Sequence, residues 1–478
     1  MFEQRTLIYS YIQRYLALFV GLGQRLRCTP LRAWPTLEFE VREATALYVV
    51  TFLISASLGV IRQILLNARF GLGPEAAAYY AAFRLPETVA MLVAGGALTN
   101  ALIPVLLRVA NRDDEQSALR LVNATLTMML VFIAPLALVA ALVAPLFVRT
   151  LLAPGFDAPT QALTVSLSRL MLMEVLLVVT EAALAAILIS RNQVLLPALA
   201  IAARNVTLIG GVLLAILIPE VGIYGPTIGA LIDALIQLGL LVPGLRQRGY
   251  RPAVVWEPKN ADVHTVGRLM VPNALGAVSN YAGNIVDTAI ASLTGIAAAI
   301  GALFNAWLLI GLPTRLLGVA VGQAALPHLA LLGIRNDLVG FRRLLLRTLV
   351  TASLLALFAA ALLIVLGRPL LMLLFQRGAF DAAAVALTYQ VLAIYALGLP
   401  SYVATEVATR ALVARYDTLT AMLANMFQLG LRIIIAMLLL EPFGVAAVPI
   451  AHVVSAFGET LILLVVLWYK VRDPLRSP

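Results

Sequence analysis

Two arginines lie inside predicted membrane-spanning segments, where a charged side chain needs water, a partner or a ligand. Arg62 falls in the segment 45–70 and Arg84 in the segment 75–107. At 1.5 Å per residue they lie about 12 Å and about 14 Å below the outer ends of these segments, near the bilayer midplane. Because the planar guanidinium fork matches phosphate oxygens, the pair indicates a binding site for an anionic phosphate group. A structural ion pair of Arg62 or Arg84 with Asp287 is the alternative.

The second half of the chain places polar side chains at a similar depth. Asp287 lies in the apolar segment 265–294 and Asn305 in the segment 297–331. We therefore expect Asp287 and Asn305 to line the same cavity as the arginines.

Four further acidic residues lie within apolar segments: Glu181, Asp233, Glu406 and Glu459. One interpretation is that they form ion networks with Arg204 and Arg432, which hold each half of the molecule together. The other is that they relay a proton or sodium ion during transport.

Several chemistries are excluded by composition. A single cysteine, Cys28, allows no intramolecular disulfide or cysteine-based zinc cluster. The three histidines are dispersed, and the sequence contains no HExxH, nucleophile elbow or phosphate loop. The net charge of +10 comes from arginines in short segments between apolar runs, which does not indicate nucleic-acid binding. We expect no enzyme activity, no metal and no cofactor.

The elements that position these residues are membrane helices. Of the 478 residues 62% are hydrophobic and 12% charged, and the mean hydropathy is +0.97. Apolar runs of about 20 residues match the thickness of a bilayer, so the sequence predicts an all-α polytopic membrane protein. The twelve predicted spans are 45–70, 75–107, 118–145, 160–190, 193–218, 221–244, 265–294, 297–331, 343–366, 382–412, 416–440 and 443–469.

The basic residues predict the orientation and the domains. Most of the 34 lysines and arginines fall in the segments that are cytoplasmic if both termini are cytoplasmic. We predict six-helix bundles at 45–245 and 265–470, a cytoplasmic linker at 246–264 and a cytoplasmic tail at 471–478. Residues 1–44 combine apolar and basic positions at helical spacing, typical of either an interfacial helix or a loosely ordered leader.

The two predicted bundles form an internal repeat. Matching residues recur in the same order at an offset of 224 to 228 positions: Leu85-Pro86 with Leu312-Pro313, Phe156-Asp157 with Phe380-Asp381, Thr180-Glu181 with Thr405-Glu406, Arg191 with Arg415, Arg204 with Arg432, and Asp233 with Glu459. Since each half has six spans, the repeats are parallel, which is a transporter architecture.

The second span of each half carries residues that interrupt helices. They are Pro86, Gly95 and Gly96 in one half and Gly311 and Pro313 in the other. Broken helices at matching positions indicate a transport site, and close helix packing is the alternative explanation.

Four stretches resemble the MurJ/MviN family of lipid II flippases. They are SASLGVIRQILLNARFGLGPEAAAYYAAFRLPETVAMLVAGGALTNALIP from Ser55, NIVDTAIASL from Asn284, GLPTRLLGVAVGQAALP from Gly311 and LFQRGAFD from Leu374. The resemblance implies the fold of the multidrug/oligosaccharidyl-lipid/polysaccharide exporter superfamily. It also implies a central cavity lined by spans 1, 2, 7 and 8, which adds Asn284 to the candidate site.

The resemblance is incomplete in the cavity. Arg62 and Arg84 match basic positions of the family, whereas four family charges are replaced by uncharged residues, Ala56, Ala77, Ala90 and Leu308. The chain also ends after span 12, where many members of the family continue with two more helices.

Three functions follow from these observations. The leading one is a flippase of the bacterial cytoplasmic membrane that translocates a polyprenyl-pyrophosphate-linked cell-wall precursor, or another anionic lipid-linked glycan, by alternating access. Membrane potential or a proton or sodium gradient would drive it, with membrane lipids and cell-wall synthesis proteins as partners. The alternatives are a cation-coupled multidrug-type antiporter and a non-transporting membrane scaffold.

Overall fold

The structure is a computed structural model that describes residues 29–30, 33–34, 37–94 and 97–472. Regular structure in these residues is helical throughout, without strands, as the sequence predicts. Most of the predicted interfacial segment and residues 473–478 of the tail lie outside the described residues.

The described residues of the first half form seven α-helices. They are α1 (Val41–Phe70), α2 (Pro74–Ala94), α3 (Ala97–Arg112), α4 (Glu115–Phe147), α5 (Ala158–Ile189), α6 (Leu195–Leu217) and α7 (Tyr224–Gln247). A π-helical turn, Val148–Leu152, extends α4.

In the second half, the residues described by the structure form eight α-helices. They are α8 (Ala261–Leu293), α9 (Ala298–Pro313), α10 (Ala320–Ile334), α11 (Leu338–Phe375), α12 (Ala382–Leu397), α13 (Leu399–Ala414), α14 (Thr418–Phe443) and α15 (Ala447–Arg472). A π-helical turn, Thr314–Val319, joins α9 to α10.

Many of these helices are suited to a bilayer. Among the described residues, eight segments are long and apolar enough to span a membrane. The pair α12 and α13, bent by 46°, raises the number to nine if it is one span. One of the eight, Thr418–Val471, contains the two helices α14 and α15. The polytopic helical class is therefore confirmed, while the number of twelve spans stays a prediction.

The predicted repeat recurs in the backbone of the turns. Left-handed φ angles occur in three pairs separated by 222 to 224 positions, close to the repeat offset: Gly71 (58°) with Gly295 (69°), Asn192 (56°) with Tyr416 (60°), and Gly222 (50°) with Gly444 (52°). A bulky residue such as Tyr416 seldom adopts this conformation. The shared turn geometry agrees with the predicted repeat.

Packing divides the chain into two compact units. The first unit consists of residues 1–66, 85–144 and 166–277, and the second of residues 67–84, 145–165 and 278–478. The last turn of α1 and the first half of α2 thus belong to the second unit, and the predicted linker belongs to the first.

Small residues bring α6 and α7 together in the first unit. A Cβ atom on Gly211 would lie 2.6 Å from the Gly225 carbonyl oxygen and 2.9 Å from the Gly229 Cα. Gly225 and Gly229 are four residues apart, so both face α6. Such small residues allow membrane helices to approach closely without side chains between them.

The LFQRGAFD stretch ties the end of α1 to the second unit. Gly378, with φ at 57°, turns the chain after α11, and the Ala379 amide donates to the Ala68 carbonyl at 2.8 Å. Phe380 is fully buried, and the Asp381 side chain caps α12 by accepting from the Ala384 amide at 2.8 Å. The stretch therefore has a structural role.

Candidate functional site

Arg62 lies on α1 in the first unit, one to two helical turns from a polar anchor. Asn205 of α6 donates through Nδ2 to the Ser55 carbonyl at 2.8 Å and to the Ser55 hydroxyl at 2.9 Å. The Ser55 hydroxyl donates to the Ile201 carbonyl at 3.1 Å. These bonds fix α1 against α6 and so position the half-buried Arg62 side chain.

Arg204, which precedes Asn205 on α6, lies close to two acidic groups of the same unit. Its guanidinium lies 3.9 Å from the Glu174 carboxylate and 3.9 Å from the Asp233 carboxylate. Asp233 is 1% exposed and accepts from Gln237 at 2.7 Å. Arg62 and Arg204 both act electrostatically on Asp233, and Arg204 also acts on Glu181. The predicted coupling residues Glu181 and Asp233 therefore belong to one charge cluster centred on Arg204.

Arg84 lies on α2 in the second unit. Its Nε donates to the Thr288 hydroxyl at 3.2 Å, and its Cζ lies 6.0 Å from the centre of the Phe304 ring. Thr288 donates in turn to the Asn284 carbonyl at 2.8 Å. This chain of contacts fixes the guanidinium plane against α8 and α9.

Asn305 is fully buried, in contrast to the expected lining of a cavity. Its Oδ1 accepts from Asn67 Nδ2 at 2.8 Å, and its Nδ2 donates to Asn67 Oδ1 at 3.3 Å and to the Gly301 carbonyl at 2.9 Å. Buried amides are retained when every polar atom finds a partner. Asn305 therefore joins α9 to the last turn of α1.

Asp287 forms an ion pair with Arg432 of α14. The sequence had suggested a pair with Arg62 or Arg84, and placed Arg432 in a network with Glu406 and Glu459. The repeat offset explains the difference, because it aligns Asp287 with Arg62 and Arg432 with Arg204. In the first half both positions are arginines, Arg62 and Arg204, and like charges do not pair. In the second half they are an acid and an arginine, which do.

His452 completes this buried cluster, and sequence analysis missed it. Its Nδ1 lies 3.8 Å from the Asp287 carboxylate. Its ring lies between 4.8 and 5.5 Å from those of Trp307, Tyr395 and Tyr402. A single histidine inside an apolar span was the available signal, since intramembrane ionisable residues are rare.

The remaining acids of the second unit have local partners. Glu406 lies 3.7 Å from Arg410, one turn along α13, and Glu459 accepts a hydrogen bond from Asn425. No group of three or more His, Cys, Asp or Glu side chains that could hold a metal occurs in the part of the chain that the structure describes.

The predicted helix interruptions differ between the halves. In the second half a π-helical turn follows directly after Pro313, with Gly311 in the last turn of α9. In the first half Pro86 lies inside α2, which continues to Ala94, and Gly95 and Gly96 lie outside the described residues.

The linker of the first unit is fixed to α4. Arg120 pairs with Glu257 at 2.5 Å, and the Thr127 hydroxyl accepts from the Val255 amide at 3.1 Å. Hydrogen bonds from Asn260 and then from Arg120 lower the pKa of Glu257 below its usual value.

Asp113 extends these polar contacts at the end of α3. A hydrogen bond from Arg112 lowers the pKa of Asp113, and Arg112 also reaches Asp262 at 2.9 Å. These exposed pairs hold charge on the surface that is predicted to be cytoplasmic.

Comparison with known proteins gives a consistent result. The family described as lipid II flippase MurJ matches residues 66–473. A probable lipid II flippase MurJ of Bdellovibrio bacteriovorus is 30% identical over 422 residues, which cover 86% of this chain and 79% of that protein. Its counterpart in Rhizobium meliloti is 28% identical over 421 residues, which cover 87% and 78%.

Two solved structures show the same fold. A lipid II flippase MurJ in an inward closed conformation has a TM-score of 0.75 at 22% identity, over 89% of this chain and 87% of that one. An inward-facing MATE family transporter of the MOP superfamily has a TM-score of 0.76 at 13% identity, over 90% and 99%. The predicted family and fold are thereby confirmed.

Proposed function

This chain belongs to the lipid II flippase MurJ family, and we propose that it translocates lipid II, or a closely related polyprenyl-pyrophosphate-linked glycan, across the bacterial inner membrane. It is a multi-pass membrane protein, and its family consists of transporters. In this function the protein recognises and moves an anionic lipid, and no covalent bond is made or broken.

Arg84 carries this proposal. Its Nε donates to the Thr288 hydroxyl, and its guanidinium carbon lies 6.0 Å from the centre of the Phe304 ring. A guanidinium held by such contacts has a defined orientation, and the planar guanidinium fork is the shape that binds phosphate oxygens in bidentate contacts. We propose that Arg84 and Arg62 bind the pyrophosphate. The backbone carbonyl of Asn284 accepts a hydrogen bond from the Thr288 hydroxyl and so orients the side chain that holds Arg84.

A cation-coupled antiporter is the second candidate, and the charge distribution disfavours it. The acid that such a mechanism would use on α8 is Asp287, and its carboxylate is paired with Arg432. Among the described residues, Glu181 and Asp233 remain available for coupling to a proton or sodium gradient, together with Glu406 and Glu459. We propose that these four acids mainly stabilise the fold through their polar and charged partners, and that coupling to an ion gradient is their secondary role.

A non-transporting scaffold is the third candidate. Ala77, which replaces a charge of the family, is 1% exposed in the packed second unit. A buried charge there would need a partner, so alanine at this position favours packing over substrate contact. The burial of Ala77 supports the loss of one of the charges that the family has in its cavity, whereas the basic residue at Arg84 is retained. A scaffold would bind cell-wall synthesis proteins without moving lipid.

Organisation and orientation are part of the proposal. We propose that the bundles 45–245 and 265–470 alternate access to a central cavity, with both termini and the linker 246–264 in the cytoplasm. An impermeant thiol reagent, applied to intact cells that carry Gln247→Cys in a Cys28→Ser background, should leave this cysteine unmodified. Modification would reverse the orientation.

The function is tested by genetic complementation. Wild-type protein should restore growth of a bacterium depleted of its own lipid II flippase, because growth requires translocation. A scaffold would be abundant in the membrane and give no growth. Arg335→Ala is the matched control, because it removes a guanidinium at the end of α10, away from the proposed site.

A further inference from the structure

An apolar groove runs along the second unit between α11, α13 and α15. It has a volume of about 350 Å³ and extends from Arg342 to Ser353 on α11, which is about 16 Å at 1.5 Å per residue. Its wall is aliphatic for most of this length, formed by Leu345, Leu346, Leu349, Val350, Leu464 and Leu467.

The deep end of the groove is built by a hydrogen-bonded contact between α13 and α15. Ala404 lines the groove there, and the adjacent Thr405 hydroxyl lies 2.7 Å from the Thr460 hydroxyl. Thr460 also lies 2.9 Å from the Ser401 hydroxyl. These bonds fix the two helices, so the groove is already formed without an occupant.

The mouth of the groove is cationic and aromatic. The Arg342 Cζ lies 4.3 Å from the centre of the Trp468 ring, which is 47% exposed. Arg343 and Arg347 are exposed on the same end of α11. Tryptophan is enriched at membrane interfaces, and clusters of basic residues there attract anionic lipid.

We propose that this groove binds an anionic diacyl phospholipid, with one acyl chain between α11 and α15 and the phosphate on Arg342. The aliphatic wall matches a hydrocarbon chain, and the cation–π contact with Trp468 fixes the guanidinium at the height of a headgroup. The site is separate from Arg84 and does not depend on the proposed function. Bound lipid would join α11, α13 and α15 as a structural component of the second unit.

Native mass spectrometry of the full chain in detergent tests the proposal. The probes are phosphatidylglycerol and phosphatidylcholine with identical acyl chains. Wild type should bind one phosphatidylglycerol in preference to phosphatidylcholine, and Arg342→Ala should weaken this binding about fivefold, equivalent to ~1 kcal/mol. Arg343→Ala is the matched control, because it removes the same charge one residue away, outside the groove lining.

Equal losses in Arg342→Ala and Arg343→Ala would overturn the proposal, since they would indicate diffuse attraction to a basic surface. Binding of undecaprenyl phosphate in place of phosphatidylglycerol would also overturn it. Ser353→Phe should fill the deep end and weaken both phospholipids. Undiminished binding by this variant would contradict the placement of the acyl chain.

A second measurement compares the wild-type chain with Trp468→Phe and does not depend on the folding of the Arg342 variant. Phosphatidylglycerol with brominated acyl chains should quench tryptophan fluorescence, and Trp468→Phe should remove most of the quenched component. Quenching unchanged by Trp468→Phe would place the lipid elsewhere and overturn the proposal.

Discussion

Arg432 on α14 and Asp287 on α8 form an ion pair in which the arginine is 6% exposed. The pair joins two helices that are distant in sequence, and His452 lies 3.8 Å from the same carboxylate. A charge buried here without its partner would raise the free energy of the folded protein, because neither water nor a lipid headgroup readily replaces the partner.

Removing one member of this pair should destabilise the protein. Arg432→Leu leaves the Asp287 carboxylate unpaired, and we expect a loss of about 3 to 5 kcal/mol, seen as a lower melting temperature in detergent. Asp287→Leu should cost a similar amount. The double variant Arg432→Leu/Asp287→Leu should recover most of the loss, because both charges are absent. A double variant whose loss equals the sum of the single losses would refute the pair.

The close contact of α6 and α7 predicts a difference between two neighbouring glycines. Gly211→Ala introduces a Cβ within 2.6 Å of the Gly225 carbonyl, whereas Gly210→Ala meets nothing within 4 Å. We expect Gly211→Ala to lower stability by roughly 1 to 3 kcal/mol through overpacking. Gly210→Ala should be neutral or slightly stabilising, since alanine favours the helix. Equal melting temperatures for the two variants would show that α6 and α7 are not in close contact.

The contact of the linker with α4 should weaken in acid. The pKa of Glu257 is lowered in the folded protein by Asn260 and Arg120. Ionised Glu257 therefore stabilises the contact of the linker with α4 fully above the ordinary glutamate pKa, about 4.3. This stabilisation is lost as the pH falls through the lower pKa that Glu257 has in the folded protein. After correction for intrinsic rates, hydrogen exchange at the Val255 amide should rise about twofold to fivefold, the range of a surface ion pair.

Glu257→Gln is the control for this pH dependence. It removes the titrating group, so exchange at Val255 should already be faster at neutral pH and should change little on acidification. Wild-type exchange that stays constant below pH 4 would mean that Glu257 does not hold the linker.

The sequence predicted the polytopic helical class, because apolar run length and helix pattern depend on local residue types. It also predicted the repeat, and the paired left-handed turns agree with it. It did not predict the partners of charged residues. Asp287 pairs with Arg432 across 145 positions of sequence, and the burial of Asn305 depends on Asn67, so both follow from tertiary packing. The position of His452 beside the Asp287 carboxylate likewise follows from tertiary packing.

The proposed binding of the pyrophosphate by Arg84 is best tested by lipid II translocation in proteoliposomes. We expect Arg84→Ala to lose at least about tenfold in transport rate, the effect of one lost charge-assisted contact of about 1.5 to 3 kcal/mol. Arg84→Lys should lose nearly as much, because lysine lacks the planar fork. Arg335→Ala should transport at the wild-type rate. Wild-type transport by correctly folded Arg84→Ala would show that Arg84 does not bind the pyrophosphate.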